Sequence, residues 1–167
     1  MIQVGVLTVS DRSARGERPD ASGPVIMQFV HDVLKWNAAQ TAIVADDASA
    51  ICSKLVEWCD EAKLGLIFTT GGTGFSLRDV TPEATRAIID REAPGLAEAM
   101  RAASLKLTPH AMLSRAVCGI RGSTLIVNLP GSPKACRESL ETIAPALPHA
   151  MQLLGDDPAA EAGHIGH

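Results

Sequence analysis

The sequence predicts an α/β fold, a three-layer α/β/α sandwich around a mostly parallel sheet, and three observations predict it. Short, nearly continuous apolar runs rich in β-branched residues, such as Gln3 to Val9 and Leu64 to Phe68, have the composition of strands covered on both faces. Helical stretches with caps or apolar periodicity alternate with those runs. The unusual polar residues fall directly after the runs, at the carboxyl ends of the strands, where such sheets bind ligands.

Taken in order, Gln3 to Val9 is the first strand, and the polar stretch Ser10 to Asp20 is a loop. Ser22 to Trp36 reads as an amphipathic helix, with Val25, Phe29, Val33 and Trp36 near helical spacing. Thr41 to Val44 is a second strand, and Asp46-Asp47 opens a helix from about Ser49 to Glu61. Leu64 to Thr70 is the third strand and runs into Gly71-Gly72-Thr73-Gly74. Thr81-Pro82-Glu83 combines a hydroxyl cap, a proline at the first helical position and a first-turn acid, so a helix starts there and runs to about Arg91. Ala93-Pro94-Gly95 breaks it before a further helical stretch to Lys106. Arg115 to Ile120 and Thr124 to Asn128 are strands separated by Arg121-Gly122-Ser123, the layout of a hairpin. Pro130-Gly131-Ser132-Pro133 then repeats the succession of strand, glycine turn and capped helix, and Pro145 and Pro148 interrupt the last helix. Residues 1–154 read as one domain and residues 155–167 as a frayed tail that carries no identifiable chemistry.

A chain of 167 residues has about the length of one domain and can bury a core. Its net charge of -4 and lack of any Lys/Arg cluster argue against a nucleic-acid binder, and the absence of tyrosine removes most stacking platforms. No apolar run approaches the roughly 18 residues of a membrane span. Met1-Ile2-Gln3-Val4 enters a strand directly, without a signal-peptide layout, which points to the cytoplasm. Cys52, Cys59, Cys118 and Cys136 form no Cys-x-x-Cys pair and read as buried, reduced thiols. The five histidines show no ligand spacing, so a zinc site has no support.

The stretch from Thr69 to Glu83 carries most of the functional signal. A strand ending in three glycines and restarting as a helix delivers bare backbone N–H groups to one point. The dinucleotide fingerprint fails because Leu77 stands where its third glycine belongs, and no Gly-Lys-Ser/Thr ending supplies a P-loop. A tight turn rich in glycine is the plain alternative, but Arg78 and Asp79 at its exit have no place in a mere turn. Asp46 and Asp79 are candidate Mg²⁺ ligands, since that ion takes one or two carboxylates together with substrate phosphates. Against this, one of Asp46 and Asp47 caps the following helix, and Asp79 has the alternatives of a cap or an ion pair with Arg78. Lys134 sits in the first turn of its helix, where the dipole disfavours a cation, which suggests an anionic partner or a solvated lysine. Ser132 has the chemistry to cap that helix, to bind phosphate, or to do each in turn. With no histidine in these loops, acyl transfer is disfavoured, and phosphoryl or nucleotidyl transfer fits better.

Thr70-Gly71-Gly72-Thr73-Gly74 with Arg78-Asp79-Val80-Thr81-Pro82-Glu83-Ala84 resembles the signature of the MogA/MoaB family of molybdenum cofactor biosynthesis proteins. Ser10-Asp11-Arg12, Ala111-Met112-Leu113-Ser114-Arg115 and Gly119 to Pro133 resemble it too, so the likeness spans residues 3–154. The same module forms the G domains of gephyrin and of its plant counterpart. The resemblance implies a molybdopterin adenylyltransferase that moves AMP from MgATP to the terminal phosphate of molybdopterin and releases pyrophosphate. It implies that Asp46 and Asp79 support Mg²⁺ and transfer, and that Gly71, Gly72, Thr73 and Gly74, with Ser10, Asp11 and Arg78, cradle nucleotide and phosphates. Asn128, Pro130, Gly131, Ser132 and Lys134 would line the pterin side. It further implies a homotrimer and a molybdate insertase as a partner. A non-catalytic pterin-binding or scaffold protein of the same pathway is the alternative.

Overall fold

The computed structural model describes residues 2–155, and all but the first residue of the expected tail lies outside them. In chain order the elements are β1 (Gln3–Val9), α1 (Asp11–Ala14), α2 (Ser22–Asp32), β2 (Asn37–Val44), α3 (Ala48–Val56, continued by a π-helical turn, Glu57–Glu61) and β3 (Leu66–Thr70). Then come α4 (Thr81–Ile88), β4 (Arg91–Glu92), α5 (Pro94–Leu105), a 3₁₀ turn (Pro109–Leu113), β5 (Cys118–Arg121), β6 (Thr124–Leu129), α6 (Pro133–Ile143) and α7 (Leu147–Leu154).

The strands form one sheet in the order β2-β1-β3-β6-β5-β4. The first four of these are mutually parallel, while β5 runs antiparallel to β6 as the first arm of the expected hairpin. Alternation along the central strands splits the core in two. Val4, Val6, Leu66, Phe68, Leu125 and Val127 pack against α2, α5, α6 and α7. Leu7, Val9, Ile67 and Ile126 face α3, its π-helical turn and α4. This is the expected sandwich. The chain steps from β1 outward to β2 and returns on the other side as β3, so the β1/β3 boundary is the topological switch point that opens a crevice at the carboxyl ends.

Several boundaries differ from the sequence expectation. Helix α2 stops at Asp32, and Lys35, at φ +58°, turns the chain away from further helix. Its buried face is Ile26, Phe29 and Val30, whereas Val33 is exposed. Strand β2 starts four residues earlier than expected, because its backbone pairs with β1 from Asn37 onward. Strand β3 starts at Leu66 rather than Leu64. The expected loop after β1 contains a helical turn capped by Ser10. Helix α4 ends at Ile88, and Arg91–Glu92 form a short edge strand on β5 instead of a last helical turn. Strand β5 begins at Cys118, which frees Arg115 for another task. No helix among the described residues is long and apolar enough to cross a membrane, and the four thiols are free.

Candidate active site

The glycine loop leaves β3 at the switch point. Gly71 has φ +96° and Gly72 φ +66°, a left-handed pair that only glycine adopts without strain. A Cβ on Gly71 would strike the Val9 carbonyl of the neighbouring strand, so close backbone approach also demands glycine there. The N–H groups of Gly72, Thr73 and Gly74 find no acceptor among the described residues, whereas Gly71 donates to the Leu129 carbonyl. Consecutive unpaired N–H groups on a loop of this kind form an anion-binding concavity.

Thr81 does not cap α4 as expected. Its hydroxyl donates to the Gly71 carbonyl at 2.9 Å and its N–H to the Gly72 carbonyl at 3.1 Å. The helix start thus staples the loop instead of closing itself.

The two carboxylates of interest both stand against this loop. Asp47 is the residue that caps α3, accepting from the Ala50 N–H at 2.8 Å. That leaves Asp46 for the site. Asp46 accepts the Asp11 N–H at 2.9 Å while Asp11 accepts the Asp46 N–H at 3.0 Å, a reciprocal pair that locks the ends of β1 and β2 together. One Asp46 oxygen would stand 3.3 Å from a Cβ on Gly72, and one Asp79 oxygen 2.9 Å from a Cβ on Gly74. Asp79 accepts the Ser76 N–H at 3.0 Å, closing a turn, so its cap-like alternative holds in part. Arg78 does not pair with its neighbour Asp79; it reaches across to Asp11, 67 positions away.

The second glycine turn comes within touching distance of the first: a Cβ on Gly131 would lie 3.5 Å from the Gly71 Cα. The Pro130 carbonyl receives both the Thr70 hydroxyl and the Cys136 thiol, each at 2.8 Å. Burial pushes the Cys136 thiol up to about 11, so it serves as a neutral donor. Ser132 caps α6, accepting the Ala135 N–H at 3.1 Å. Asn128 is 0% exposed. Its amide donates to the Thr69 and Thr85 hydroxyls and accepts the Val117 N–H, so the side chain braces the floor from below. Every buried side-chain polar atom among the described residues has a partner, which rigidifies this layer of Thr and Asn. Lys134 points away, its side chain 88% exposed and 3.8 Å from Glu138.

Two cavities share the glycine loop as a wall. A polar one of about 220 Å³ is lined by Ser10, Asp46, Gly71, Gly72, Asp79 and Gly131. An apolar one of about 300 Å³ lies on the other side, lined by Thr73, Gly74 and Pro130 together with Met100, Leu107 and Leu113. Of the residues expected in the site, all but Ser132 and Lys134 line these cavities or the adjoining polar recess that holds Asp11 and Arg78. Arg12 and Arg18 also face that recess, with no ion pair among the described residues. Sequence reasoning did not assign them; the available signal was a pair of arginines in the loop at a strand's carboxyl end. Ser114 and Ala111, quoted only for resemblance, line the apolar cavity.

Comparison with known proteins gives the family of the chain. A family model described as a "Probable molybdopterin binding domain" matches residues 5–149. The chain is 45% identical over 154 residues to the molybdopterin adenylyltransferase of Helicobacter pylori strain J99, covering 92% of this chain and 88% of that protein. It is 46% identical over 156 residues to the molybdenum cofactor synthesis protein cinnamon of Drosophila melanogaster, covering 93% of this chain but only 26% of that longer protein. The crystal structure of the molybdopterin biosynthesis enzyme MoaB from Thermus thermophilus superposes with a TM-score of 0.89 at 51% identity, covering 95% of this chain and 99% of that one.

Proposed function

This chain belongs to the molybdopterin-binding domain family, and we propose that it is a molybdopterin adenylyltransferase of molybdenum cofactor biosynthesis. The observation that carries the proposal is the wall shared by two unlike cavities. A polar cavity with three carboxylates, of which Asp20 is taken up by the Thr8 and Ser22 hydroxyls and the Gly23 N–H, and with unpaired loop N–H groups in its wall suits the phosphates of ATP, and the apolar one suits a flat heterocycle. The wall between them is where a terminal phosphate of one substrate would meet the α-phosphorus of the other.

In the reaction, a phosphate oxygen of molybdopterin forms a bond to the α-phosphorus of ATP as the α–β anhydride bond breaks and pyrophosphate leaves. The chain contributes position and charge more than covalent chemistry. The loop N–H groups at Gly72 to Gly74 hold phosphate oxygens, Ser10, Asp11 and Gly131 shape the nucleotide side, and Asn128 and Pro130 shape the pterin side. Arg12, Arg18 and Arg78 offset the charge of the departing pyrophosphate. Mg²⁺ fits the donor set, because Asp46 and Asp79 present two hard carboxylates to one cavity and leave other positions to phosphates. When bound at Asp46 and Asp79, it would neutralise phosphate charge.

The family resemblance extends the proposal to a cytoplasmic homotrimer that passes its product to a molybdate insertase. The exposed Leu77, Leu107 and Met112 leave apolar surface for such contacts. The test is pyrophosphate release, which should require both molybdopterin and MgATP. Pterin binding with no pyrophosphate would instead assign a scaffold role.

A further inference from the structure

The tip of the glycine loop is placed by polar ties alone. Phe75, Ser76, Leu77 and Arg78 are all exposed, Leu77 completely, so no apolar packing fixes the tip itself; the apolar anchor beside Asp79 is the partly buried Val80, packed against the core under α3 and α4. Its non-local attachments are the ion pair from Arg78 to Asp11 and a set of hydrogen bonds from Arg115.

We propose that Arg115 is the positioning residue of the site, holding both ends of the loop so that the Asp79 carboxylate stands in the polar cavity. The Arg115 Nε–H donates to the Gly74 carbonyl at 2.7 Å, and an Nη2–H donates to the Asp79 carbonyl at 2.5 Å. The Arg115 backbone N–H adds a bond to the Thr73 carbonyl at 2.9 Å. Its remaining nitrogen pairs with Glu83 in the first turn of α4, which fixes the plane of the guanidinium. Burial alone would raise the Glu83 carboxyl, but the hydrogen bond and charge of Arg115 bring it below its ordinary value, so Glu83 stays ionised as the anchor. A planar fork with several donors spans two carbonyls at once; a lysine ammonium is a point charge on a flexible stem and does not. Arg115 also follows directly on Ser114, which lines the apolar cavity, so one short segment serves both cavities.

The role rests on the adenylyltransferase proposal, because it acts through Asp79. The test is a double-mutant cycle of Arg115→Ala with Asp79→Asn, read in transfer assays and in amide hydrogen exchange. Arg115→Ala should lower kcat by about 10²-fold, the scale for a misplaced catalytic group, with nucleotide KM nearly unchanged. Guanidinium ion should restore part of that loss in Arg115→Ala and none in Asp79→Asn. The double variant should be no slower than Asp79→Asn alone, since both changes remove one function. Losses that multiply, or a normal kcat in Arg115→Ala, overturn the proposal. If Arg115→Ala fails to fold, Arg115→Lys takes its place in the cycle, with the same criteria apart from rescue. If the wild-type protein itself transfers nothing, the functional reading fails while Arg115 is still decided by exchange. The Ser76 and Asp79 amides should then exchange at least about 10-fold faster in the variant, and unchanged protection rejects the role.

Discussion

Gly74→Ala offers a way to move the Asp79 carboxylate without unfolding the protein. The added Cβ would lie 2.9 Å from an Asp79 carboxylate oxygen, where ordinary contact begins at 3.4 Å, so the carboxylate must withdraw by about 0.5 Å. Gly74 is not in a left-handed conformation, and the colliding atom ends a side chain, so the backbone can stay in place. Replacing glycine there removes unfolded-state freedom worth about 0.4–1 kcal/mol. Weakening the bond from Ser76 N–H to Asp79 offsets this by about 1 kcal/mol. The two nearly cancel, so Tm should move by less than about 4 °C. Catalysis should suffer more, because a misplacement of about 1 Å can lower a rate by about 10²-fold, and half of that displacement suggests about 10-fold. The assay is kcat/KM for pyrophosphate release beside a thermal melt, with Gly95→Ala as control, where a Cβ meets nothing within 4 Å. Wild-type kcat/KM in Gly74→Ala, with Tm also unchanged, would show that the position of the Asp79 carboxylate is irrelevant.

Three further predictions follow from the same geometry. Asp47→Ala should lower stability by about 1 kcal/mol with activity retained, whereas Asp46→Asn should abolish most transfer and leave Tm nearly unchanged; melts and assays on the pair read out both. Gly71→Ala should lower Tm by about 6–12 °C, from a cost of about 3 kcal/mol for a left-handed residue driven into the Val9 carbonyl; Gly16→Ala, at φ +72° in open space, should lower it by only about 2–4 °C. Burial raises the Cys118 thiol to about 12 and the Cys136 thiol to about 11, so the folded chain keeps protons that the unfolded chain loses above about pH 8.5. Their contribution is therefore complete below that pH and is lost as pH rises towards 11. With no tyrosine to titrate there, urea midpoints should fall between pH 9 and 11, and a flat or rising profile contradicts it.

Much of the site was legible because its chemistry needs special backbone, and special backbone needs glycine. Gly71 to Gly74 after a continuous apolar run identified a strand end with open N–H groups, and the structure places it at the switch point. The choice between Asp46 and Asp47 was not legible. It turns on Asp47 having the extended backbone of a cap, φ -127° and ψ 122°, which two adjacent aspartates do not disclose. The partner of Arg78 was hidden for a different reason: Asp79 is next to it in sequence, but Asp11 is next to it in space. Thr81 looked like a cap because Thr-Pro-Glu is a good helix start; the tertiary bond to Gly71 won instead. In α2, both Val25/Val33 and Ile26/Val30 satisfy a helical stripe, and only the sheet beneath decides which side is buried. The edge strand Arg91–Glu92 has no apolar signal at all, since it is held by backbone pairing to β5.

The most direct measurement supplies purified protein with molybdopterin, Mg²⁺ and ATP labelled at the α-phosphorus, and follows the label by chromatography and mass spectrometry. Label should appear on the pterin phosphate in a one-to-one ratio with released pyrophosphate, and both should be lost in Asp79→Asn at an unchanged melting temperature. Label that stays on ATP while molybdopterin is bound, or full transfer in Asp79→Asn, would contradict the proposed reaction.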